Sequence, residues 1–159
     1  MTKERTIVLV KPDAVQRGLV GKILERFEQK GLKIAGLKMI KVSEAILHEH
    51  YAHIADKPFF GDLKKFMMSS PVVVLCLEGL EAVGAVRKVC GVTKSRDAEG
   101  GTIRGDFGMG YGANIVHTSE NLKDAEAEVK RFFPDEKELF DYKRSDFEQV
   151  YATETDGRQ

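Results

Sequence analysis

The segment Thr6-Ile7-Val8-Leu9-Val10-Lys11-Pro12-Asp13 is the strongest indication of the architecture of this chain. Its first five residues are apolar or β-branched without alternation, which predicts a strand buried on both faces. Pro12 ends the strand sharply, because proline cannot continue a ladder of backbone hydrogen bonds. A lysine in front of such a turn is expected to point into a crevice, so Lys11 is the first candidate for a ligand-binding residue.

On the C-terminal side of that strand, apolar periodicity predicts further helices and strands. Further strands are predicted over residues 32–42, 72–77 and 114–117. Helices are predicted over 20–27, stopped by Gly31, and over 80–89, closed by Gly91; three more begin at the caps Ser43 (with Leu47, Tyr51 and Ile54), Asp62 (ending before Pro71) and Ser119. Residues 92–113 are predicted to be irregular.

This order of elements predicts an α/β (α+β) fold, a ferredoxin-like split βαβ sandwich. We expect a four-stranded, mainly antiparallel sheet, with helices on one face and a long loop before the last strand. The other face would be left for partners or further elements. Residues 1–151 are predicted to form a single domain, and the polar residues 152–159 a flexible tail.

Composition narrows the classes of function. Lysine plus arginine and aspartate plus glutamate both number 25, so the formal net charge is zero. A protein that holds nucleic acid by its overall field usually carries a basic excess, so no specific nucleic-acid partner is expected. The N-terminus lacks an apolar signal segment, and the apolar run 72–77 is far too short for a transmembrane helix. We therefore predict a cytoplasmic protein without a membrane partner, with Cys76 and Cys90 as buried reduced thiols.

A second stretch carries the chemistry. Gly101-Thr102-Ile103-Arg104-Gly105-Asp106-Phe107 is followed by Asn114-Ile115-Val116-His117-Thr118-Ser119. The two segments put one histidine at the end of a short strand, downstream of a glycine-rich loop that contains an arginine. Imidazole is a good nucleophile toward phosphorus, and guanidinium is a good clamp for phosphate oxygens. This combination predicts phosphoryl transfer through a phosphohistidine at His117.

The chain has no GxxxxGK[ST] loop, so side chains would have to hold the phosphates of a nucleotide. Lys11 ends a strand, Arg87 lies on the helix before the long loop, and Arg104 lies within it; Thr93 adds a hydroxyl. Taken singly, such cations are more often ordinary surface charges. A lone histidine at a strand end is likewise more often a satisfied core residue.

Two further groups of rings have alternative interpretations. Phe59 either packs in the core or stacks on a nucleobase, since stacking tolerates any base. His48, His50 and His53 are preferred as a solvated helix face over a metal site, because no third ligand of convincing geometry accompanies them. No metal ligand is expected from the protein side chains.

Taken together, the motifs resemble the nucleoside diphosphate kinase family over residues 4–151. Any one of them is weak, but their order and spacing are highly specific. The matching stretches are Lys11-Pro12-Asp13-Ala14-Val15-Gln16-Arg17-Gly18-Leu19-Val20-Gly21, Arg26-Phe27-Glu28, His50-Tyr51, Lys57-Pro58-Phe59-Phe60, Gly101 to Phe107, and Asn114-Ile115-Val116-His117.

The resemblance implies an enzyme that transfers the γ-phosphate of a nucleoside triphosphate, chiefly ATP, to a nucleoside diphosphate. It implies a ping-pong mechanism through phosphorylated His117, which supports synthesis of the triphosphates other than ATP. Mg²⁺ would arrive on the nucleotide phosphates. The resemblance also implies that Ser119 and Glu128 support the histidine and that Tyr51 lies near the transferred group. It implies sugar and phosphate contacts from Lys11 and Asn114, and phosphate contacts from Arg87, Thr93 and Arg104. At the base, it implies stacking by Phe59 and further contacts from Leu63 and Tyr111.

The chain departs from the family pattern around the site. Ser95 and Gly100 stand where prolines are frequent, which loosens the loop. Tyr111 replaces a smaller aliphatic residue, and Ala113 replaces a frequent arginine. The family forms hexamers or tetramers, and the long segment 140–151 favours a homohexamer here, with a homotetramer as the alternative.

Two other functions stay open at this point. One is a nucleic-acid-binding module that uses an open sheet face together with Phe59 and Tyr111. The other is a phosphohistidine carrier that has lost turnover. Transfer of phosphate to a diphosphate separates the enzyme from both.

Overall fold

The computed structural model describes residues 2–154, and the first strand, β1 (Lys3–Val10), lies inside a four-stranded sheet. The strand order is β2 (Lys33–Ile40), β3 (Val72–Leu80), β1 and β4 (Val116–Thr118). Every pairing is antiparallel. The parallel strands β1 and β2 therefore flank β3, which is the split βαβ arrangement that the order of elements predicts. The predicted fold class is confirmed.

Helices connect and cover these strands. The longer ones begin and end within a few residues of the predicted limits. They are α1 (Pro12–Gln16), α2 (Val20–Gln29), α3 (Glu44–His50), α4 (Phe60–Met67), α5 (Ala82–Cys90), α6 (Ile103–Phe107), α7 (Leu122–Phe132) and α8 (Phe147–Tyr151), with 3₁₀ turns at Ala52–Ile54, Ser95–Asp97 and Glu136–Glu138.

Helices lie on both faces of the sheet, which corrects the expectation of one covered face. Val8 and Val10 of β1 pack in a core with α2 and α5. Ile7 and Leu9 point the other way and pack with α3, α4 and α7. A strand without polar alternation must be covered on both sides, because each exposed apolar face loses burial energy. Within residues 2–154, β1 therefore offers no open face of the kind a single-strand nucleic-acid module would use.

Some predicted helix starts are wrong. Asp62 lies inside α4, whose N-cap residue is Phe59, and Asn121 instead of Ser119 caps α7 by accepting a hydrogen bond from Asp124 N. Both asparagine and serine are good caps, so composition alone could not separate these two neighbours. Ser119 instead donates a hydrogen bond to the carboxylate of Glu128.

Other differences concern short elements. Helix α3 ends at His50, so Tyr51 and Ile54 follow it instead of belonging to it. Proline at the first position of α1 starts a helix where only a strand end was predicted. The stretch 92–113 is not wholly irregular, because Thr102 caps α6 by accepting a hydrogen bond from Gly105 N.

The segment after α7 returns along the sheet. Phe140 N donates to Ala35 O (2.8 Å), Tyr142 Oη to Ile34 O (3.0 Å), and Leu80 N to Tyr151 Oη (3.3 Å). The single domain over 1–151 stays a prediction, and residues 155–159 of the predicted tail lie outside the described residues. Within residues 2–154, no helix combines the length and the apolar run that crossing a bilayer requires.

Candidate active site

A cleft of about 1700 Å³ lies beside the end of β1 and β4. Its walls come from the region after α3, from α4, from α5, from the loop that follows α5, and from α7. The sequence-predicted residues that line it are Lys11, Tyr51, Phe59, Leu63, Arg87, Thr93, Arg104, Tyr111, Asn114, His117 and Glu128. The remaining predicted residue, Ser119, is fully buried behind the cleft wall.

His117 lies on β4 opposite Leu9 of β1, with its ring partly exposed to the cleft. Its Nε2 is 3.1 Å from Glu128 Oε1 and 3.2 Å from Oε2. Ser119 Oγ donates to Glu128 Oε2 (2.6 Å) and accepts from Ile7 N (3.3 Å). The carboxylate is thus fixed from one side and contacts the imidazole from the other.

The protonation state of Glu128 follows from these contacts. Burial alone would raise the pKa of Glu128, but the hydrogen bonds with His117 and Ser119 lower it below its ordinary value. The group is therefore a carboxylate at neutral pH and can only accept hydrogen bonds. It accepts the Nε2–H of His117, so the lone pair of a neutral ring lies on Nδ1.

A strained turn positions His117. Ile115 has φ 76° and is fully buried, and Val116 N donates to Asn114 O (2.9 Å), which together form a γ-turn of the rare positive-φ type. Two contacts with the segment after β1 hold it: Lys11 N donates to Ile115 O (2.9 Å), and Ile115 N to Asp13 Oδ2 (3.1 Å). Strain at a β-branched residue persists only where surrounding contacts determine it, and it often marks a functional site.

Lys11 and Asn114 form one polar unit at the base of the cleft. Lys11 Nζ donates to Asn114 Oδ1 (2.7 Å) and Gly112 O (3.4 Å), and Asn114 Nδ2 donates to Thr93 O (2.8 Å). Burial, with the charge of Arg104 beside it, lowers the pKa of Lys11 to about 8. An anion in the cleft would offset the cost of keeping the buried ammonium charged, so the position of Lys11 favours anion binding.

Arg104 belongs to the structure as well as to the cleft. Its guanidinium donates to Asn114 O (3.2 Å), Gly91 O (2.7 Å) and Val116 O (2.7 Å). Three of its five N–H groups are used, which leaves two for a ligand. Arg87, by contrast, is exposed on α5 at the cleft edge. The cations that the sequence singled out are therefore brought to one cleft, one of them rigidly held.

Aromatic side chains lie at the open end of the cleft. Phe59 is 53% exposed and Tyr111 is 67% exposed, and both line it together with Leu63. Phe60, in contrast, is buried, so it packs inside the protein while Phe59 faces the cleft. Tyr51 is largely buried, and this burial, with the Glu128 charge nearby, raises its pKa to about 12, so its hydroxyl stays protonated. Exposed rings in a cleft suit stacking on a flat ligand.

His50 is a site residue that the sequence interpretation missed. It is buried instead of solvated, with its ring 4.4 Å from the His117 ring and inclined by 79°. His48 and His53 are exposed, as expected for a solvated face. The signal was available: His50 follows the buried Leu47 by three residues, so both lie on the same side of α3.

Arg131 is the second missed residue. Its Nη1 donates to His50 Nδ1 (3.1 Å), and its Nε lies 3.0 Å from Glu49 Oε1. Within residues 2–154, His50, His117 and Glu128 form the group whose ligand atoms, all within 4.8 Å of one another, could hold a metal ion. The guanidinium of Arg131 against His50 Nδ1 opposes a cation in that place, because it uses the lone pair a metal would need.

Comparisons with known proteins identify the family to which this chain is similar. The sequence profile of the family described as "Nucleoside diphosphate kinase" matches residues 4–138. A nucleoside diphosphate kinase of Parabacteroides distasonis is 49% identical over 151 residues, 95% of this chain and 98% of its own length. Nucleoside diphosphate kinase A of Rattus norvegicus is 51% identical over 140 residues, 88% of this chain and 91% of its own. A solved halophilic nucleoside diphosphate kinase from Halobacterium salinarum, in complex with CDP, superposes with a TM-score of 0.90 at 47% identity, covering 94% of this chain and 99% of that one.

Proposed function

The chain belongs to the nucleoside diphosphate kinase family, and we propose that His117 is the residue through which it passes a phosphoryl group from one nucleotide to another. The protein is a phosphotransferase that acts on nucleoside di- and triphosphates. The observation that carries the role of His117 is its Nε2 contact with Glu128 (3.1 Å) at the wall of a cleft that also holds Lys11 and Arg104. That contact leaves Nδ1 as the nucleophile.

The reaction has two matched halves. In the first, His117 Nδ1 attacks the γ-phosphorus of a triphosphate, the N–P bond forms, and the bond from phosphorus to the bridging oxygen breaks. The diphosphate leaves with the electron pair of that bond. In the second half, the terminal oxygen of another diphosphate attacks the phosphohistidine and the N–P bond breaks. Glu128 balances the positive charge that the ring acquires when Nδ1 is phosphorylated, because its carboxylate accepts the Nε2–H throughout.

The cations stabilise charge and hold the phosphates in line. Phosphoryl transfer depends on positioning and on electrostatic stabilisation more than on further covalent steps. Lys11 has one ammonium proton left for a phosphate oxygen, and Arg104 has two N–H groups left. Arg87 and Thr93 add contacts from the edge of the cleft.

Mg²⁺ enters as part of the nucleotide substrate. The carboxylate of Glu128 already contacts His117 and Ser119, so this group is not free to bind the ion. Hard cations of this type are held by phosphate oxygens and water in such sites, and the ion neutralises phosphate charge. Lys11, Arg87 and Arg104 then meet a partly neutralised polyphosphate.

Broad base tolerance follows from the aromatic end of the cleft. Phe59 stacks on one face of the nucleobase, and Leu63 and Tyr111 contact it from other sides. Stacking of this kind is worth about 1–3 kcal/mol per base and accepts every base. ATP, as the chief donor, and diphosphates with other bases can therefore share one site, which supports synthesis of the other triphosphates.

The chain assembles with copies of itself, as a homohexamer, or as a homotetramer in the alternative. Strand β2 lies at the edge of the sheet, and its side chains Leu37 and Met39 are 51% and 60% exposed. An exposed apolar edge strand is a liability in a lone monomer and is normally covered. The cytoplasmic location stays a prediction from the sequence.

Isolation of the phosphorylated protein tests the proposed function. The protein is incubated with γ-labelled ATP and magnesium, freed of nucleotide, and then mixed with GDP or CDP. We expect label to move onto the diphosphate within the mixing time, and initial rates at several fixed diphosphate concentrations to give parallel double-reciprocal lines. Label that stays on the protein would instead identify a phosphohistidine carrier without turnover.

A further inference from the structure

We propose that Arg131 is a positioning residue that reserves the Glu128 carboxylate for His117 by fixing the tautomer of His50. The inference rests on the proposed role of His117 as the nucleophile. It concerns a contact outside the reacting groups: a guanidinium on the last turn of α7 that reaches the histidine at the end of α3.

The geometry puts four side chains in a chain of contacts. Arg131 Nη1 lies 3.1 Å from His50 Nδ1, and that same nitrogen lies 3.8 Å from Glu128 Oε1. Glu128 Oε1 is in turn 3.1 Å from His117 Nε2. Two histidines therefore face one carboxylate oxygen, one at hydrogen-bond distance and one just beyond it.

The chemistry of arginine decides which histidine binds. A guanidinium has donors only, so His50 Nδ1 must present its lone pair to Arg131. The proton of a neutral His50 ring then lies on Nε2, which finds no hydrogen-bond partner among residues 2–154. In the opposite tautomer, Nδ1–H would point at Glu128 Oε1 and compete with His117 for it.

Burial, more than the neighbouring charges, keeps His50 neutral. Burial, together with His117, Arg131 and His53, lowers the pKa of His50 to about 3, although Glu128 opposes the shift. The other titratable group against the ring is Tyr51, whose ring centroid is 4.7 Å away and whose hydroxyl stays protonated. His50 consequently adds no positive charge beside His117, and its ring packs edge-on against the His117 ring and limits its rotation.

Glu49 forms an ion pair with the guanidinium on the side away from His50, without a hydrogen bond to Nε. Its carboxylate is 3.0 Å from Arg131 Nε, and its side chain is 63% exposed while that of Arg131 is only 15% exposed. The arginine thus spans from the solvent edge of α3 to the buried histidine. An apolar residue of similar length at position 131 would keep the packing and lose the donors.

The test has two independent parts. The first measures the tautomer directly, by ¹⁵N NMR of the His50 ring in the unmodified protein. We expect a protonated Nε2 and an unprotonated Nδ1, and we expect a mixture of tautomers in Arg131→Met. A His50 ring protonated on Nδ1 in the unmodified protein overturns the proposal, whether or not any variant folds.

The second part measures turnover in a double-mutant cycle. We expect Arg131→Met to lower kcat about tenfold with little change in KM, equivalent to about 1.4 kcal/mol of barrier. We expect Arg131→Lys, which keeps a donor at this position, to lose less kcat than Arg131→Met. A phenylalanine at position 50 cannot compete for Glu128, so adding Arg131→Met to the variant His50→Phe causes no further loss of kcat, whatever the activity of His50→Phe itself. Equal losses from Arg131→Met in both backgrounds contradict the proposal.

A matched control separates position from charge. Lys130 precedes Arg131 on the same helix and is exposed, so Lys130→Met removes the same charge without touching His50. We expect it to leave kcat and the His50 tautomer unchanged. Failure of this proposal leaves the proposed function intact, because labelling of His117 by ATP is measured separately.

Discussion

Nucleotide binding should drive a proton onto Lys11. In the free protein, burial and the charge of Arg104 hold the pKa of Lys11 at about 8, against an ordinary value of 10.5. A triphosphate in the cleft supplies negative charge close to Nζ and brings the pKa back to its ordinary value or above. In each protein molecule whose Lys11 is neutral before binding, Lys11 must therefore take up a proton from the solution.

The size of this uptake follows from the two pKa values. At pH 7 about 0.1 proton is taken up per site, at pH 8 about 0.5, and at pH 9 about 0.9. The terminal phosphate of the nucleotide does not disturb the measurement at pH 8 and above, because its own ionisation near pH 6 is then complete. Isothermal titration calorimetry in buffers of different ionisation enthalpy gives the uptake as a slope.

The matched variant is Lys11→Met, which keeps the aliphatic stem. We expect it to abolish the uptake at pH 8 and 9 while weakening binding. The lowered pKa of Lys11 also makes the stability of the nucleotide-free protein depend on pH. Between pH 8 and 10.5 the unfolded chain holds the lysine proton more tightly than the folded protein does, so the free energy of unfolding increases as the pH rises through that window. A slope of zero at pH 8.5 in the unmodified protein would refute the role assigned to Lys11.

Three further results are expected. Phe59→Ala raises KM for every nucleotide, by the loss of about 1–3 kcal/mol of stacking, and leaves kcat nearly unchanged in steady-state assays; a loss confined to one base would speak against a general stacking role. Glu128→Gln keeps the shape but removes the charge that faces His117, so rapid-quench measurement should show phosphorylation slowed about 10- to 100-fold, and an unchanged rate would remove Glu128 from the mechanism. Leu37→Lys combined with Met39→Glu shifts light-scattering mass toward smaller species, whereas an unaltered mass would exclude β2 from the assembly contacts.

The order of helices and strands predicted the fold class, and β1 by itself indicated that both of its faces would be covered. A run without polar alternation requires two covered faces, and the apolar faces of α2, α5 and α7 supply that cover. The expectation of one covered face was wrong, because apolar residues of α3 and α4 pack with α7 in the second core.

The site was predictable where residue type limits chemistry. Lys11, Arg104 and His117 are each ambiguous when taken singly, but a nucleophilic ring together with two cations in these positions points to phosphoryl transfer, and all three line one cleft. The γ-turn at Ile115 could not be predicted, since isoleucine rarely takes positive φ and only tertiary contacts hold it there.

Contacts between side chains far apart in sequence could not be predicted either. The His50–Arg131 hydrogen bond joins α3 to α7 across 81 positions, and nothing local in either helix requires it. His50 could have been placed inside by its spacing from Leu47, but its partner could not be named. Ser119 was expected to support His117; it donates a hydrogen bond to Glu128, and the cap position of α7 is filled by Asn121.

Phosphorylation of His117 by ATP can be measured directly. Incubation with γ-labelled ATP should give a protein whose label is stable in base and lost in acid, with the phosphate on Nδ1 of that ring. Changing His117→Gln should abolish the label while nucleotide binding persists, since the cationic residues of the cleft are untouched. Label that survives in the variant would contradict the account.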